Sequence, residues 1–418
     1  MEPKSTRFGI LVGGGPAPGI NGVISAATIE ARKNGYEVVG FLDGFQHLMA
    51  GDATQHKMLE IPDVTRILFQ GGSVLRTARA NPTKDPAHMA NVLKCLREHK
   101  VRHLVTIGGD DTAFSASKVA EAAKGEISVA HVPKTIDNDL PLPKGTPTFG
   151  YETARHVGSE IVRNLIADAH TTPRWYIVVA MGRTAGFLAI GIGKSAAASL
   201  TLIPEEFPEE HVSFEKICDI VEGAILKRRS RGRDYGVAIL AEGLVEKMTS
   251  DEIERVFGSE NFERDQHGHI RLDDLDLGPR VRDELRKRFK ARGLKLTLVS
   301  KNLGYELRSA DPIPFDREYT RDLGFGAVQF LLSGKSGAII NFVGGQMAPM
   351  YFNELKRNAQ GRLDPRVVDV EHESYRVARE YMFRLDDEDR KPERLAALAK
   401  EAKMTEAEFL AKFGYLMK

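Results

Sequence analysis

Short apolar runs recur along the chain, each followed by a turn and then by apolar positions at helical spacing. Phe8–Val12, Val38–Leu42, Leu104–Ile107 and Ile127–Val132 read as buried strands. Tyr176–Ala180, Val237–Leu240, Leu296–Val299 and Ala338–Phe342 continue the series. A Gly/Pro turn after the first strand leads into a helix over about Gly19–Lys33. Strands that are apolar on both faces and alternate with helices predict an α/β protein with parallel sheets covered on each side. In such sheets ligands bind where loops leave the carboxyl ends of the strands, so strand ends are where chemistry is expected.

Two regions stand outside this alternation. The stretch from about 245 to 292 is charged and helical, with 257–274 read as a loop. Beyond Met350 the helical spacing returns at Glu371–Phe383, Pro392–Lys400 and Thr405–Phe413. Neither region carries a reactive cluster, so both are expected to be peripheral packing or oligomer surface. The sequence shows no internal repeat or low-complexity segment.

Composition adds exclusions. The 418 residues carry 59 basic and 58 acidic side chains, a net charge of +1, which gives no footprint for nucleic acid. An anion must therefore be met by a local basic cluster. The apolar stretches, such as Gly186–Gly193, fall far short of the ~18 residues of a membrane span. Met1-Glu2-Pro3-Lys4 leads into the first strand without a signal-peptide layout. The two cysteines, Cys95 and Cys218, sit in helical patterns without metal-ligand spacing and are expected to be buried thiols in a reducing, cytoplasmic setting.

Four strand ends carry the candidate chemistry. Gly13-Gly14-Gly15-Pro16-Ala17-Pro18-Gly19 is either a phosphate cradle of backbone amides or a tight strand-to-helix turn. Gly108-Gly109-Asp110-Asp111-Thr112 places two carboxylates at a helix start. One would suffice as a cap, and the pair suggests that one holds Mg²⁺, a hard cation that shares phosphate oxygens. Pro133-Lys134-Thr135-Ile136-Asp137-Asn138-Asp139 combines a cation and a hydroxyl for phosphate with an acid–base carboxylate, Asp137, which Asp139 can support. An acidic surface turn is the alternative there. Met181-Gly182-Arg183 offers a guanidinium fork. Ala241-Glu242-Gly243 and Tyr305-Glu306-Leu307-Arg308 follow further strands, where a Glu can bind sugar hydroxyls and Tyr305 with Arg308 can hold a phosphate. Together these ends point to phosphoryl transfer.

With its motifs in this order, the chain resembles the phosphofructokinase family from Phe8 to Gly345. The matching stretches are 13–21, 108–112, 133–139, 181–183 and Pro312-Ile313-Pro314-Phe315-Asp316-Arg317. The resemblance implies two Rossmann-like three-layer domains with the active site in the cleft between them. The expected ranges are a pyrophosphate- and Mg²⁺-binding domain over 1–150, joined by part of the C-terminal region, a sugar-phosphate domain over 151–345 and a helical tail over 346–418.

The resemblance also distributes roles. Asp137 is implied as the base acting on the 1-hydroxyl of fructose 6-phosphate, with Lys134, Asp111 and Arg183 as the other catalytic residues, and Asp110 as the Mg²⁺ ligand. Gly14, Gly15, Arg79, Asp111, Thr112 and Lys134 are implied for pyrophosphate. The sugar-phosphate pocket is implied at Thr135, Ile136, Asp139, Met181, Gly182, Arg183, Glu242, Tyr305 and Arg308. Arg174 is implied to reach a neighbouring subunit, which makes the chain a homodimer or homotetramer.

Two positions bear on the donor. ATP-dependent members resemble Gly-Gly-Asp-Gly, whereas this chain has Asp111 as the fourth residue, whose carboxylate repels an α-phosphate. Lys134 stands where bacterial ATP-dependent members tend to have Gly, and suits a small, highly charged donor. The pair resembles the pyrophosphate-dependent branch. The chain departs from the family at Tyr305-Glu306-Leu307-Arg308-Ser309-Ala310, where many members have His-Ile-Gln-Arg-Gly-Gly. Ser25 and Ile29 stand where allosteric members carry arginines, which implies an unregulated, reversible enzyme. The alternatives are an ATP-dependent phosphofructokinase and a catalytically inactive regulatory subunit that binds sugar phosphate.

Overall fold

A computed structural model describes residues 5–143, 145–209, 211–258, 275–356 and 363–417. The chain forms two compact units, Met1–Ala154 with Tyr305–Arg366, and Arg155–Gly304 with Val367–Lys418.

The first unit is built on one eight-stranded sheet. Its strands are β1 (Arg7–Val12), β2 (Glu37–Phe41), β3 (His56–Met58), β4 (Val101–Gly108), β5 (Ser128–Thr135), β6 (Phe149–Gly150), β11 (Ala338–Ile339) and β14 (Met350–Tyr351). The order is β14-β11-β5-β4-β1-β2-β3, with β6 beside the end of β5. All pairings are parallel except β2–β3 and β11–β14. Side chains alternate between two apolar layers, as the pleat requires. Phe8, Ile10, Val12, Val105, Ile107, Ala130 and Val132 face the helices Ile20–Lys33 and Pro314–Leu332. Leu11, Leu104 and Val129 face Pro86–Glu98 and Asp110–Ala122. Cys95 is buried in the second layer as a free thiol.

The second unit holds the parallel sheet β10-β7-β9-β8, made of β7 (Trp175–Ala180), β8 (Leu200–Leu202), β9 (Gly236–Ala241) and β10 (Leu298–Leu303). Trp175, Ile177 and Val179 pack into a cluster with helices Phe214–Arg229 and Leu277–Ala291. A short antiparallel hairpin joins β12 (Phe342–Val343) and β13 (Gln346–Met347) in the first unit.

The compact units divide the chain elsewhere than the expected ranges. Tyr305–Gly345 lies in the first unit because Ala338–Ile339 pairs with Ala130–His131 of β5 and Pro314–Leu332 covers the same face of the sheet. The two regions expected to be peripheral are part of a core instead. Leu277, Val281, Leu285 and Phe289 from the charged insert join Leu395, Leu398, Phe409 and Phe413 from the tail in the second unit's apolar cluster. Their polar faces hid this, because a helix needs only one apolar stripe to enter a core. The loop expected over 257–274 falls, from 259 onward, outside the described residues. Among the described residues, no helix is long and apolar enough to cross a membrane.

Candidate active site

In the first unit, three strand ends meet around the glycine loop. β1 runs into Gly13–Gly19, and helix Ile20–Lys33 follows. The Gly13 N–H donates to the Ile107 carbonyl at 2.8 Å and the Gly14 N–H to Ala78 at 3.0 Å. Both amides are therefore engaged by backbone. Gly14 supplies a positive φ of 83°, and a Cβ there would stand 3.5 Å from Lys134 Nζ. Lys134 Nζ donates to the Gly15 carbonyl. A Cβ built on Gly15 would lie 3.9 Å from Cζ of Arg308, so Lys134 and Arg308 both border the loop. Arg79 is exposed and follows Ala78, the acceptor for Gly14.

Thr112 explains two of the glycines. A Cβ at Gly13 would fall 2.5 Å from Thr112 Oγ1, and one at Gly108 would fall 2.4 Å from Thr112 Cβ. Thr112 is buried and fills that space, so it sets the distance between the two loops.

Asp110 and Asp111 open helix Asp110–Ala122 as its first two residues, after Gly109 at the N-cap. The helix dipole favours both carboxylates at this end. Asp110 Oδ1 accepts the Leu363 N–H at 3.3 Å. Among the described residues there is no group of three or more His, Cys, Asp or Glu side chains placed to hold a metal. The carboxylate of Asp110 has the hard oxygen chemistry that fits Mg²⁺, which takes one or two protein oxygens and completes its shell with phosphate and water.

β5 extends to Thr135, so Lys134 and Thr135 belong to the strand itself. Asp137 follows at 9% exposure, and its N–H donates to Thr135 Oγ1 at 3.0 Å. Asn138 takes a φ of +58°, and its side-chain oxygen accepts from the Thr148 N–H at 3.0 Å. Thr148 Oγ1 donates to the Thr135 carbonyl at 2.8 Å. The turn is thus cross-braced rather than a solvated acidic bend. Beneath it, His131 Nε2 lies 3.0 Å from the Gly108 carbonyl, and Nδ1 lies 2.8 Å from Thr106 Oγ1. Burial pushes its imidazole down to about 3, with the Lys134 charge adding to the shift, so the ring is neutral.

In the second unit, β7 ends at Ala180 and the 181–186 loop leads into helix Phe187–Ala196. Arg183 has a φ of +52°, and one buried carboxylate explains the bend. Glu242 Oε1 accepts from the Gly182 N–H at 2.9 Å and the Arg183 N–H at 2.6 Å. Glu205 Oε1 holds the far end of the loop through the Gly186 N–H at 2.8 Å. Burial pushes the Glu246 carboxyl up, and the Arg183 charge opposes that shift.

The phosphofructokinase family model matches residues 7–331, which include the loops described above in each unit. The chain belongs to the phosphofructokinase family. Its relatives within that family include the pyrophosphate–fructose 6-phosphate 1-phosphotransferase of Naegleria fowleri, 55% identical over 100% of this chain and 97% of the relative. The Thermotoga maritima protein of the same name is 53% identical over 98% of each chain. The fold is also that of the crystallised pyrophosphate-dependent phosphofructokinase from Nitrosospira multiformis. That structure has a TM-score of 0.66 and 18% identity and aligns over 90% of this chain and 91% of that one.

Within this phosphofructokinase fold the expected residues are not gathered uniformly. Gly15, Lys134 and Arg308 converge, and Thr112 locks Gly13. Helix Tyr305–Arg308 is fixed to the first unit by the Gly71 N–H, which donates to Asp311 Oδ1 at 2.9 Å, while Tyr305 itself is 69% exposed. Met181 is buried, and a Cβ at Gly304 would strike its Cε at 2.7 Å. Arg174 precedes β7, at the strand end opposite Arg183, and is tied locally to the Thr172 carbonyl at 3.1 Å and to Asp168 at 3.5 Å.

Sequence reasoning missed two supports. Asp316 is fully buried and accepts from the Gly150 and Thr153 N–H groups, both at 2.8 Å, anchoring the start of helix Tyr151–Thr171. Its place in the 312–317 stretch was the available signal. Arg366 grips the Asn138 turn from a tail stretch whose sequence offers no periodicity.

Proposed function

We propose that the chain transfers a phosphoryl group from pyrophosphate to the 1-hydroxyl of D-fructose 6-phosphate, reversibly and without nucleotide control, giving fructose 1,6-bisphosphate and phosphate. The observation that carries this reading is full-length identity above one half to two proteins of that activity by name.

The chemistry follows from the braced turn. Asp137 accepts the proton of the sugar hydroxyl as its oxygen attacks the phosphorus in line and the second phosphate leaves. The Thr135 bond to the Asp137 amide fixes the turn that carries the base. Lys134, held at the Gly15 carbonyl, and Arg79 meet the donor's oxygens. Asp110 would hold Mg²⁺, which supplies neutralising charge at those oxygens. Asp111 excludes ATP by placing a carboxylate where a longer polyphosphate runs. Thr135, Ile136, Asp139, Met181, Gly182, Arg183, Tyr305 and Arg308 are assigned to the sugar phosphate. Glu242 serves it by shaping the 181–183 loop through two amides. We also assign a cytoplasmic location and a homodimeric or homotetrameric state with Arg174 at the subunit contact.

The test is a donor comparison. Purified protein with Mg²⁺ and fructose 6-phosphate is given pyrophosphate or ATP, and product is followed by a coupled enzyme. Turnover with pyrophosphate alone is expected. Turnover with ATP alone overturns the donor, and none with either supports the regulatory-subunit alternative.

A further inference from the structure

The segment Leu363–Arg366 lies beyond residues 7–331, the part of the chain that the family model covers, yet it touches two loops of the first unit's site. Leu363 is buried among Ala113, Leu140, Leu142 and Ile339, and its N–H reaches Asp110 Oδ1 at 3.3 Å. Pro365 restricts the backbone of the residues around it. Arg366 then donates to three residues of one turn. Its N–H bonds the Asp139 carbonyl at 2.7 Å, Nε the Asn138 carbonyl at 3.0 Å, and one terminal nitrogen the Thr146 carbonyl at 2.9 Å. The other terminal nitrogen bonds Asn138 Oδ1.

These bonds fall where the backbone needs support. Asn138 occupies the left-handed region, costly for a residue with a Cβ and found where the surroundings over-determine it. Its oxygens are held by a planar fork whose geometry an ammonium cannot reproduce. The neighbouring residue is Asp137. We propose that Arg366 is a positioning residue for phosphoryl transfer, locking the Asn138 turn so that the Asp137 carboxylate is aimed at the sugar hydroxyl. The proposal rests on the reading of Asp137 as the base.

The test compares Arg366→Ala, Arg366→Lys and Asp137→Asn in the full chain. The readouts are kcat, KM for pyrophosphate and fructose 6-phosphate, and Tm. Arg366→Ala is expected to lower kcat by ~10²-fold, the cost of a base misplaced by about 1 Å. Both KM values should stay within about threefold, Tm should fall only modestly as buried acceptors lose their donor, and added guanidinium should restore part of the turnover. Arg366→Lys should fall in kcat with unchanged KM, and it serves alone if the Ala variant does not fold. Wild-type kcat in Arg366→Lys or Arg366→Ala overturns the assignment, as does a joint fall of kcat and Tm without guanidinium rescue. Asp137→Asn with near-normal turnover overturns the base itself. An inactive Asp137→Asn beside unimpaired Arg366 variants overturns only the role of Arg366.

Discussion

Thr112 shows how much of the site depends on missing atoms. Its side chain occupies the space that Cβ atoms at Gly13 and Gly108 would need. Gly13→Ala is expected to cost about 1–3 kcal/mol, as overpacking does. Adding Thr112→Ala should recover part of that loss, which a urea-denaturation cycle on the four proteins would measure. Asp111 supports a different prediction. Asp111→Gly removes the carboxylate proposed to repel a nucleotide, so ATP-dependent turnover should become measurable while kcat/KM for pyrophosphate falls. An unchanged donor preference in the coupled assay would move discrimination away from this position. Lys134 and Asp137 were singled out because their chemistry is local in sequence, a cation and a carboxylate at the end of a buried strand. Arg366 was not, because its importance exists only in three carbonyls and one amide oxygen distant along the chain. Glu242 was singled out by its position, but not by the bonds it makes. Nothing in Ala-Glu-Gly says that the carboxylate bonds two amides of the 181–183 loop.

Among elements, the buried strands were readable and the mixed ones less so. β1, β2, β4, β7 and β9 follow apolar runs closely. β10 is displaced from the expected Leu296–Val299 to Leu298–Leu303, because an edge strand keeps Ser300, Lys301 and Asn302 partly in solvent and so loses its apolar signature. β8 has three residues, too short to show a pattern. The pairing of β4 with β5 carries a titratable group that the proposed chemistry does not use. His131 is opposite Thr106, faces the Gly108 carbonyl and lies near Lys134. It is neutral in the fold, with a pKa of about 3, against about 6.5 when exposed in the unfolded chain. Between those values the unfolded state binds the extra proton, so stability should fall as pH drops below about 6.5 and be unaffected by this group above about 7.5. Urea midpoints for wild type and His131→Asn between pH 4 and 8 would check it. The wild-type curve should be the steeper one on the acid side.

The whole molecule puts its late sequence at the centre of both units. Phe409 and Phe413 are fully buried with Trp175, Val281 and Leu285, so a chain ending at Arg366 leaves that cluster open. Phe413→Ala should cost about 3–5 kcal/mol by denaturant titration. Termination at residue 366 should yield insoluble second units, whereas a soluble, cooperatively melting fragment would show that the tail only decorates the surface. The α/β class could be read from the alternation of strands and helices, and the two-part plan from the family resemblance. The assignment of 305–366 to the first unit could not, because it depends on a two-residue strand and one long helix finding a sheet made far earlier in the chain. That arrangement has a consequence during synthesis. β5 is complete at Thr135, but Ala130 and His131 wait for Ala338 and Ile339, roughly two hundred residues later. At ribosomal speeds of about 5–20 residues per second, this sheet edge stands open for about 10–40 s. The nascent chain therefore spends that interval with one edge of β5 unpaired and a bare apolar face, the kind of surface that chaperones shield and neighbouring polypeptides on a crowded polysome can capture.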